Sequence, residues 1–327
     1  MDIHRYPYIL FGSRVYTMAK NERWGNPFED KRDWKQYQEE LVKRYEIYLD
    51  LDWVDSWQVE LEEMNKGKRG APYIFPNSMI IFQSFFVEKF HIRGAEAITR
   101  KLESYNLIPR CNDHATIHRR VLEMDLEFET PKGIKLEIGT DGTGMKMTNS
   151  GEYFQSTYGK SRRRFAKLII TATKDDILAV DVFVCKKGKQ SEPKTAEKHL
   201  EEIMKEGGEI SKVYDDGAFD TRHYFNFLEK YKINSAIRIR ANATTKSKGS
   251  FRRKKEVLEF KEKGYKTWAK EKQYGKRWIM TEGHYSAIKR GYGDSAKSKN
   301  VGNIILEIKR KVWIYDKVRK YGRKKEQ

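Results

Sequence analysis

A succession of strand-like and helix-like segments between residues 134 and 240 constrains the fold of this chain more than any other feature. Alternating and β-branched residues predict strands, and apolar residues at steps of three or four predict helices. The predicted elements are strands at 134–138, 165–173 and 177–184, a helix at 194–206, a strand at 210–214, a helix at 221–231 and a strand at 235–240. The chain therefore presents three strands, a helix, a strand, a helix and a strand, in that order.

This order is that of a ribonuclease H-like fold, an α/β architecture in which helices flank a mixed sheet. Helical patterns dominate the chain from residue 33 to residue 124 and predict an all-α region before the sheet. Its last helix carries Arg119 and Arg120 near its start. Such a region is either a helix-turn-helix-like reader of DNA or an ordinary helical bundle with a basic face.

The charge of the chain indicates an anionic partner. Lys and Arg number 66 against 47 Asp and Glu, which leaves a net charge of +19 over 327 residues. With 38% hydrophobic residues the chain can bury a sizeable core, so this charge belongs to a folded protein. The usual partner of so basic a protein is nucleic acid, because each neutralised phosphate releases bound counterions. No membrane-spanning segment or signal peptide is predicted, and we expect a cytoplasmic protein that does not bind membranes.

Three acidic residues stand where the expected fold would gather them. Asp141 ends the first strand, Asp216 ends the fourth, and Glu282 lies on a helix predicted from about residue 268 or 274 through residue 290. The first and fourth strands are neighbours in this fold, and that helix lies across their carboxyl ends. Converging carboxylates repel one another unless cations neutralise them, as two divalent metals do in phosphodiester transfer. Taken singly, each acid is more typical of a turn or a solvated helix face.

The predicted helix around Glu282 places further groups beside that acid. At about 100° per residue, Trp278, Glu282, Tyr285 and Lys289 fall in one sector, with a core face on the other side. A carboxylate would then be flanked by a phenol and an amine that suit phosphate. The run 160–164, which contains Arg162 and Arg163, lies between the first strands and is either a solvated turn or a phosphate contact.

Four segments together resemble a known family. They are Thr140-Asp-Gly-Thr-Gly-Met-Lys146 with Gly151-Glu-Tyr153, then Tyr214-Asp-Asp-Gly-Ala-Phe-Asp-Thr-Arg222, then Arg277-Trp278 with Glu282 and Tyr285-Ser-Ala-Ile-Lys-Arg290, and upstream Asp113-His-Ala-Thr-Ile-His-Arg-Arg120. Their order is similar to that in the DDE transposases of insertion sequences, within the insertion-sequence-four superfamily, in particular the branch typified by insertion sequence five. The likeness spans about residues 35 to 295.

This resemblance implies a metal-dependent recombinase that cuts DNA at transposon ends and joins the freed 3′-OH to target DNA. Asp141, Asp216 and Glu282 would be its catalytic acids and would hold two Mg²⁺ or Mn²⁺ ions, while Lys289 matches a lysine that touches DNA phosphate. It also implies a homodimer on DNA, in the nucleoid of a prokaryotic cytoplasm. The expected DNA contacts are Lys289, Tyr285, Trp278, Arg277, Lys146, Arg162, Arg163, Arg119 and Arg120.

One departure from the family concerns Arg277. The family commonly has an arginine four residues before the glutamate, whereas Arg277 is five residues before Glu282, about 140° away on an ideal helix. Either the helix begins after Arg277, or the DNA contact usual for this residue is altered. Asp216, directly before Gly217, matches the family position better than Asp215 does.

The resemblance divides the chain into segments. We expect an irregular arm at 1–32, a helical DNA-binding or dimerisation domain at 33–128, a ribonuclease H-like catalytic domain at 129–299 and a C-terminal basic helix and tail at 300–327. The catalytic domain would contain a basic insert at 241–272, whose stretch 246–255 is interpreted as a mobile, solvent-facing or DNA-facing loop outside the core. The last helix would place Ile304, Ile308, Val312 and Tyr315 on one apolar stripe, with cations opposite.

Other functions remain as alternatives. A nuclease of the same fold would cleave without joining, and a DNA-binding derivative would have lost catalysis. The second is less favoured, since three carboxylates would repel a phosphate backbone. Cys111, His114 and His118 have a spacing that zinc could use, but a fourth ligand is not evident nearby. The glycines around Asp141 lack the full spacing of a dinucleotide-binding motif.

Overall fold

The computed structural model describes residues 22–23, 26–27, 32–147, 165–184 and 191–323. The strands in these ranges are β1 (Glu22–Arg23), β2 (Asn26–Pro27), β3 (Lys135–Met147), β4 (Phe165–Ala172), β5 (Ile177–Val184), β6 (Glu209–Asp215), β7 (Asn234–Ile237) and β8 (Ser295–Ala296). The helices are α1 (Trp34–Glu46), α2 (Trp57–Asn65), α3 (Asn77–Ser104), α4 (His114–Leu122), α5 (Glu192–Lys205), α6 (Arg222–Lys230), α7 (Phe251–Glu271), α8 (Lys276–Met280), α9 (Glu282–Tyr292) and α10 (Val301–Arg323).

A mixed sheet confirms the ribonuclease H-like fold. Its strand order is β5-β4-β3-β6-β7, and β8 pairs with the far end of β3. β4 is antiparallel to both of its neighbours, β3 and β5, whereas β3, β6 and β7 run parallel. Parallel pairing brings the carboxyl ends of neighbouring strands to the same edge of a sheet. The segment around Asp141 and the end of β6 therefore lie side by side.

Helices cover both faces of this sheet. On one face, α5 and α6 bury a cluster that includes Leu136, Ile138 and Phe225. On the other, α9 and α10 pack over Leu168 and Ile170 of β4. Leu136 and Ile138 lie on the same face of β3 and belong to the first cluster, which agrees with the alternation that predicted β3.

The C-terminal helix joins the sheet to the N-terminal helices. Its predicted stripe of Ile304, Ile308, Val312 and Tyr315 is buried. The prediction that cations occupy the opposite, outer side was wrong for Arg310 and Lys311, which are 6% and 3% exposed. Their charges are paired, since Arg310 bonds Glu88 at 2.6 Å and Lys311 lies 3.5 Å from Glu307.

The N-terminal region is helical, as expected. In α3 the backbone breaks at His91, where φ is 61°, so this long element consists of two helical pieces. Helix α4 packs against α3, and α1 lies along α10. Most of the arm expected at 1–32 is outside the described residues, which include only the short β1–β2 pair there. None of the described helices is long and apolar enough to span a bilayer.

The structure corrects two predictions after residue 240. The basic insert is not a loop throughout, because from Phe251 onward it forms α7, whose Val257 and Trp268 are fully buried. The helix expected from 268 or 274 through 290 is three pieces, since α7 ends at Glu271 and the chain breaks again at Thr281, with φ −128° and ψ −66°. The helix α7 was not predicted because most of its residues are polar or charged. The break was not predicted because Thr281 is neither a glycine nor a proline.

Candidate active site

Two aspartates lie where β3 and β6 run together. The prediction that Asp141 ends the first strand was wrong, because β3 continues past it to Met147. The Asp141 carboxylate accepts a hydrogen bond from the Gly142 amide at 2.8 Å. The Asp216 carboxylate accepts one from the Ala218 amide at 2.7 Å and so caps a short turn at Gly217–Phe219. Both carboxylates are partly exposed and near enough to interact, because the charge of Asp216 contributes to the raised pKa of Asp141.

Arg277 ties the third acid to the first. Its guanidinium lies 3.3 Å from an Asp141 carboxylate oxygen and 2.5 Å from one of Glu282. The break at Thr281 makes this possible, since it separates α8, which carries Arg277, from α9, which begins at Glu282. The ideal-helix angle of 140° between the two residues therefore does not apply. The five-residue spacing is accommodated by a helix that begins after Arg277.

The environment of Asp141 disfavours the ionised form of its carboxyl group. Burial raises its pKa to about 6, and the nearby charges of Asp216 and Glu192 act in the same direction. The Gly142 amide and the Arg277 guanidinium act against this rise but do not cancel it. The raised pKa of Asp141 thus reflects mainly the burial of its carboxyl group, and carboxyl groups with strongly shifted pKa values are frequent at functional sites.

Asp215 has a different environment from the neighbouring Asp216. It is fully buried and accepts hydrogen bonds from the Thr140 amide at 2.9 Å and from the Tyr224 hydroxyl at 2.8 Å. Burial raises its pKa to about 7. Asp215 therefore links β3, β6 and α6 inside the protein, and Asp216 is the member of the pair that faces the edge.

The carboxylates fit a hard divalent cation in chemistry, because Asp and Glu oxygens are the ligands that Mg²⁺ prefers. Arg277 supplies positive charge between two of them in this structure. In the described part of the chain, no three His, Cys, Asp or Glu side chains are placed to share one ion. A shared ion therefore requires the Arg277 side chain to move from its position between Asp141 and Glu282.

The family to which this chain belongs follows from a match to a family model described as a transposase DDE domain, over residues 136–315. That range covers more than half of the chain and includes Asp141, Asp216 and Glu282. The chain is a member of the transposase DDE-domain family.

Two solved structures show weak similarity to this transposase-family chain. A piggyBac transposase synaptic complex with hairpin DNA is 10% identical, with a TM-score of 0.38, over 85% of this chain and 73% of that one. A Drosophila P element transposase strand transfer complex is also 10% identical, with a TM-score of 0.31, over 60% of this chain and 47% of that one. These values are too low to support a conclusion about function.

Some of the expected DNA contacts of this transposase-family chain lie near the acids. Lys289 donates a hydrogen bond to the Thr143 hydroxyl at 2.6 Å, two residues beyond Asp141 on β3. Trp278 is 46% exposed. Lys146 is exposed and pairs with Asp294 at 2.7 Å. Arg119 is exposed on α4, in the N-terminal region.

Tyr285 and Arg120 were expected to contact DNA, but their side chains bond to groups inside the protein. The Tyr285 hydroxyl donates to the Asp141 carbonyl and accepts from the Ile170 amide at 3.1 Å, so it bridges β3 and β4 inside the core. Arg120 donates to the Phe75 carbonyl at 3.1 Å and to the Asn77 side chain at 2.7 Å. Both are buried. Arg162 and Arg163 lie outside the described residues.

The structure does not bring Cys111, His114 and His118 to a common ligand. The Cys111 thiol donates to the Glu103 carboxylate at 2.7 Å. His114 bonds the Glu96 carboxylate at 2.9 Å, and His118 is exposed on α4. Cys111 and His114 thus have separate carboxylate partners.

Sequence reasoning missed a fourth carboxylate beside Asp141. Glu192 begins α5 and pairs with Lys167 of β4 at 2.7 Å. A Cβ atom on Gly142 would lie 2.5 Å from the Glu192 carboxylate and 3.0 Å from the Lys167 side chain. Both contacts are with the flexible ends of side chains, which could shift, so Gly142 gave no clear sign of Glu192 in the sequence.

Proposed function

We propose that this chain is a DDE transposase of the insertion-sequence-five branch, which cleaves DNA at transposon ends and transfers the cut strand to target DNA. Asp141, Asp216 and Glu282 are its catalytic acids and hold two Mg²⁺ or Mn²⁺ ions. The observation that carries the proposal is the gathering of acids from three separate elements at one sheet edge, with the pKa of Asp141 raised to about 6. A purely structural site would pair these charges more fully.

Each residue of the site has a defined part in this chemistry. When bound, the metal ions supply Lewis acidity that activates the attacking oxygen and stabilises the leaving one. Asp141 and Asp216 hold them from β3 and β6, and Glu282 does so from α9. Arg277 neutralises Asp141 and Glu282 in the metal-free chain. With these carboxylates holding a metal ion, the Arg277 guanidinium would be available to a DNA phosphate.

DNA is the proposed partner. The net charge of +19 attracts a polyanion. Lys289, which bonds Thr143 close to Asp141, and the exposed Trp278 and Lys146 offer groups that suit phosphate or a base. Arg119 extends the proposed contact to the N-terminal helices. A homodimer assembled on the two transposon ends is part of the same proposal.

Cleavage of DNA in the presence of Mg²⁺ tests this function. The substrate is a supercoiled plasmid that carries the DNA flanking the gene on both sides, where inverted repeats are expected. Asp141→Asn, Asp216→Asn and Glu282→Gln should each reduce nicking by about 1000-fold, since loss of metal-stabilised charge costs several kcal/mol in the transition state. Each variant should still bind DNA.

A matched control and a second assay separate the alternatives. Glu202→Gln removes a half-exposed carboxylate of α5 away from the site and should nick like the parent protein. Joining of a pre-cut 3′-OH end to a target plasmid distinguishes a transposase from a nuclease without strand transfer. If the three acid variants nick as well as the parent, the assignment is wrong.

A further inference from the structure

The loop that follows Asp216 is held from outside by Arg240. The Arg240 side chain donates from Nε to the Gly217 carbonyl at 2.5 Å and from Nη2 to the Ala218 carbonyl at 2.8 Å. The Ala218 amide in turn donates to the Asp216 carboxylate at 2.7 Å. Ala218 is therefore bonded on both sides, by Arg240 at its carbonyl and by Asp216 at its amide. A shift of this residue would move the Asp216 carboxylate with it.

A buried ion pair anchors the other end of the same loop. The Asp220 side chain is 0% exposed and receives two hydrogen bonds from Arg253, at 2.6 Å from Nε and 3.0 Å from Nη2. It also accepts from the Arg240 amide at 3.1 Å. A carboxylate buried to this degree would be costly without such partners, and a two-point contact with a guanidinium also fixes orientation.

Arg253 belongs to the first turn of α7, where the hydroxyl of Ser250 caps the helix by accepting from the Arg253 amide at 3.3 Å. The first piece of α7 is anchored by the fully buried Val257, and the second piece, beyond a break at Gly264 (φ 68°, ψ 163°), by the fully buried Trp268. Rigid structure therefore runs from α7 through Arg253 and Asp220 to the loop that carries Asp216. The segment that resembled a mobile basic insert is thus connected to one of the acids.

We propose that Arg253, Asp220 and Arg240 are positioning residues that fix the carboxylate of Asp216 for metal binding. The inference rests on the proposed function, because it concerns Asp216 as a metal ligand. Groups that orient a ligand without touching the metal change metal affinity by about 10-fold to 100-fold when they are altered. Lysine cannot replace Arg253, since a single ammonium does not reproduce two parallel hydrogen bonds to Asp220.

Mn²⁺ binding by the full chain without DNA, measured by titration calorimetry, tests this role. Arg253→Lys should weaken Mn²⁺ binding about 10-fold, because the charge remains and the orientation of the loop is lost. Arg310→Lys is the matched control. Arg310 forms a comparably buried pair with Glu88, with side chains 8% and 5% exposed, at 2.6 Å and away from the acids. It should lower the melting temperature comparably and leave Mn²⁺ affinity unchanged.

Further variants keep the outcome decisive. If Arg253→Lys does not fold, the exposed Arg240→Gln replaces it, with the same expectation for Mn²⁺ affinity. Equal Mn²⁺ affinities of the positioning variant and the Arg310→Lys control would overturn the positioning role. If Asp216→Asn itself binds Mn²⁺ as tightly as the parent, the proposed function fails instead. A loss in Asp216→Asn without a loss in Arg253→Lys or Arg240→Gln removes only this inference.

Discussion

Two polar regions of the same sheet contain half-buried aspartates whose pKa values are shifted in opposite directions. At the edge, Asp141 lies near Asp216 and Glu192 with Arg277 as its cation, and its pKa is raised to about 6. In a second region, called the inner region because its His199 is buried, Asp181 of the outermost strand β5 is bonded by Lys198 at 3.1 Å and lies 3.4 Å from the imidazole of His199. Although burial opposes it, these partners lower the Asp181 pKa to about 2.

The inner region forms a continuous chain of hydrogen bonds. His199 bonds the Thr171 hydroxyl at 2.9 Å, and Thr171 bonds the Thr140 hydroxyl at 2.8 Å. Each polar group there has a partner, which is how a structural network stabilises a fold. At the edge, by contrast, Asp141 and Glu282 share a single guanidinium, that of Arg277. We infer that the inner region supports the fold and the edge serves the chemistry.

The largest effect on stability is expected where the core supports the edge. Tyr285→Phe removes the hydroxyl between the Asp141 carbonyl and the Ile170 amide and should cost about 2 kcal/mol, since both buried groups lose a partner. Urea unfolding measures this change. Tyr105→Phe, at a side chain that is mostly exposed, is the control and should leave stability unchanged. A Tyr285→Phe protein as stable as the parent would show that this bridge contributes nothing.

Asp181→Asn should destabilise the protein by about 1–2 kcal/mol at pH 7, allowing for partial solvent screening of the shift. A lowered pKa stabilises the folded state above the unfolded value near 4, and this contribution is lost as the pH falls through about 2. The difference between variant and parent should therefore shrink in acid. Unfolding curves at several pH values measure it, and a difference that grows in acid contradicts the account.

Asp141→Asn should have the opposite sign in metal-free protein. A carboxyl group whose pKa is raised destabilises the folded state when ionised, so the parent gains stability as the pH falls from about 6 toward 4. The amide variant should be about 1 kcal/mol more stable than the parent at pH 7, with this advantage lost near pH 4. Thermal unfolding with a chelator present tests this, and a destabilised variant at pH 7 would place Asp141 with Asp181 as a structural acid.

Trp278→Ala should have the smallest effect on stability, within about 0.5 kcal/mol, because the side chain is 46% exposed. Its affinity for a short DNA duplex should nevertheless fall about fivefold, as expected for loss of an aromatic contact to a base. Fluorescence anisotropy at fixed salt measures this affinity. Unchanged binding would show that Trp278 does not contribute to DNA binding and would leave the charged residues as the proposed contacts.

The strands and their order could be predicted from the sequence because burial on two faces imposes a strong pattern. β-branched residues are frequent in β4 and β5. Because β3 and β6 are parallel neighbours, it could also be predicted that Asp141 and Asp216 lie on the same side of the sheet. The raised pKa of Asp141 could not be predicted, since it depends on burial and on Glu192, which belongs to a distant element. Such environments are properties of the folded chain alone.

The predicted exposure of Tyr285 and Arg120 was wrong because the polar end of each side chain bonds to a group inside the protein. Tyr285 shares a helical sector with Glu282 and Lys289, yet its ring is long enough to reach between two strands, so a position near the acids became part of the core. Arg120 similarly extends an aliphatic stem into the interior and pairs its head with a carbonyl. Periodicity locates a side chain on a face but does not say where its polar end finds a partner.

Anomalous diffraction from crystals soaked in Mn²⁺ tests the central claim most directly, because it locates bound ions without reference to activity. The account predicts manganese peaks within coordination distance of carboxylate oxygens of Asp141, Asp216 and Glu282, with Arg277 moved from its position between Asp141 and Glu282. Peaks found only elsewhere, with Arg277 still bonded to both carboxylates at saturating Mn²⁺, would contradict it.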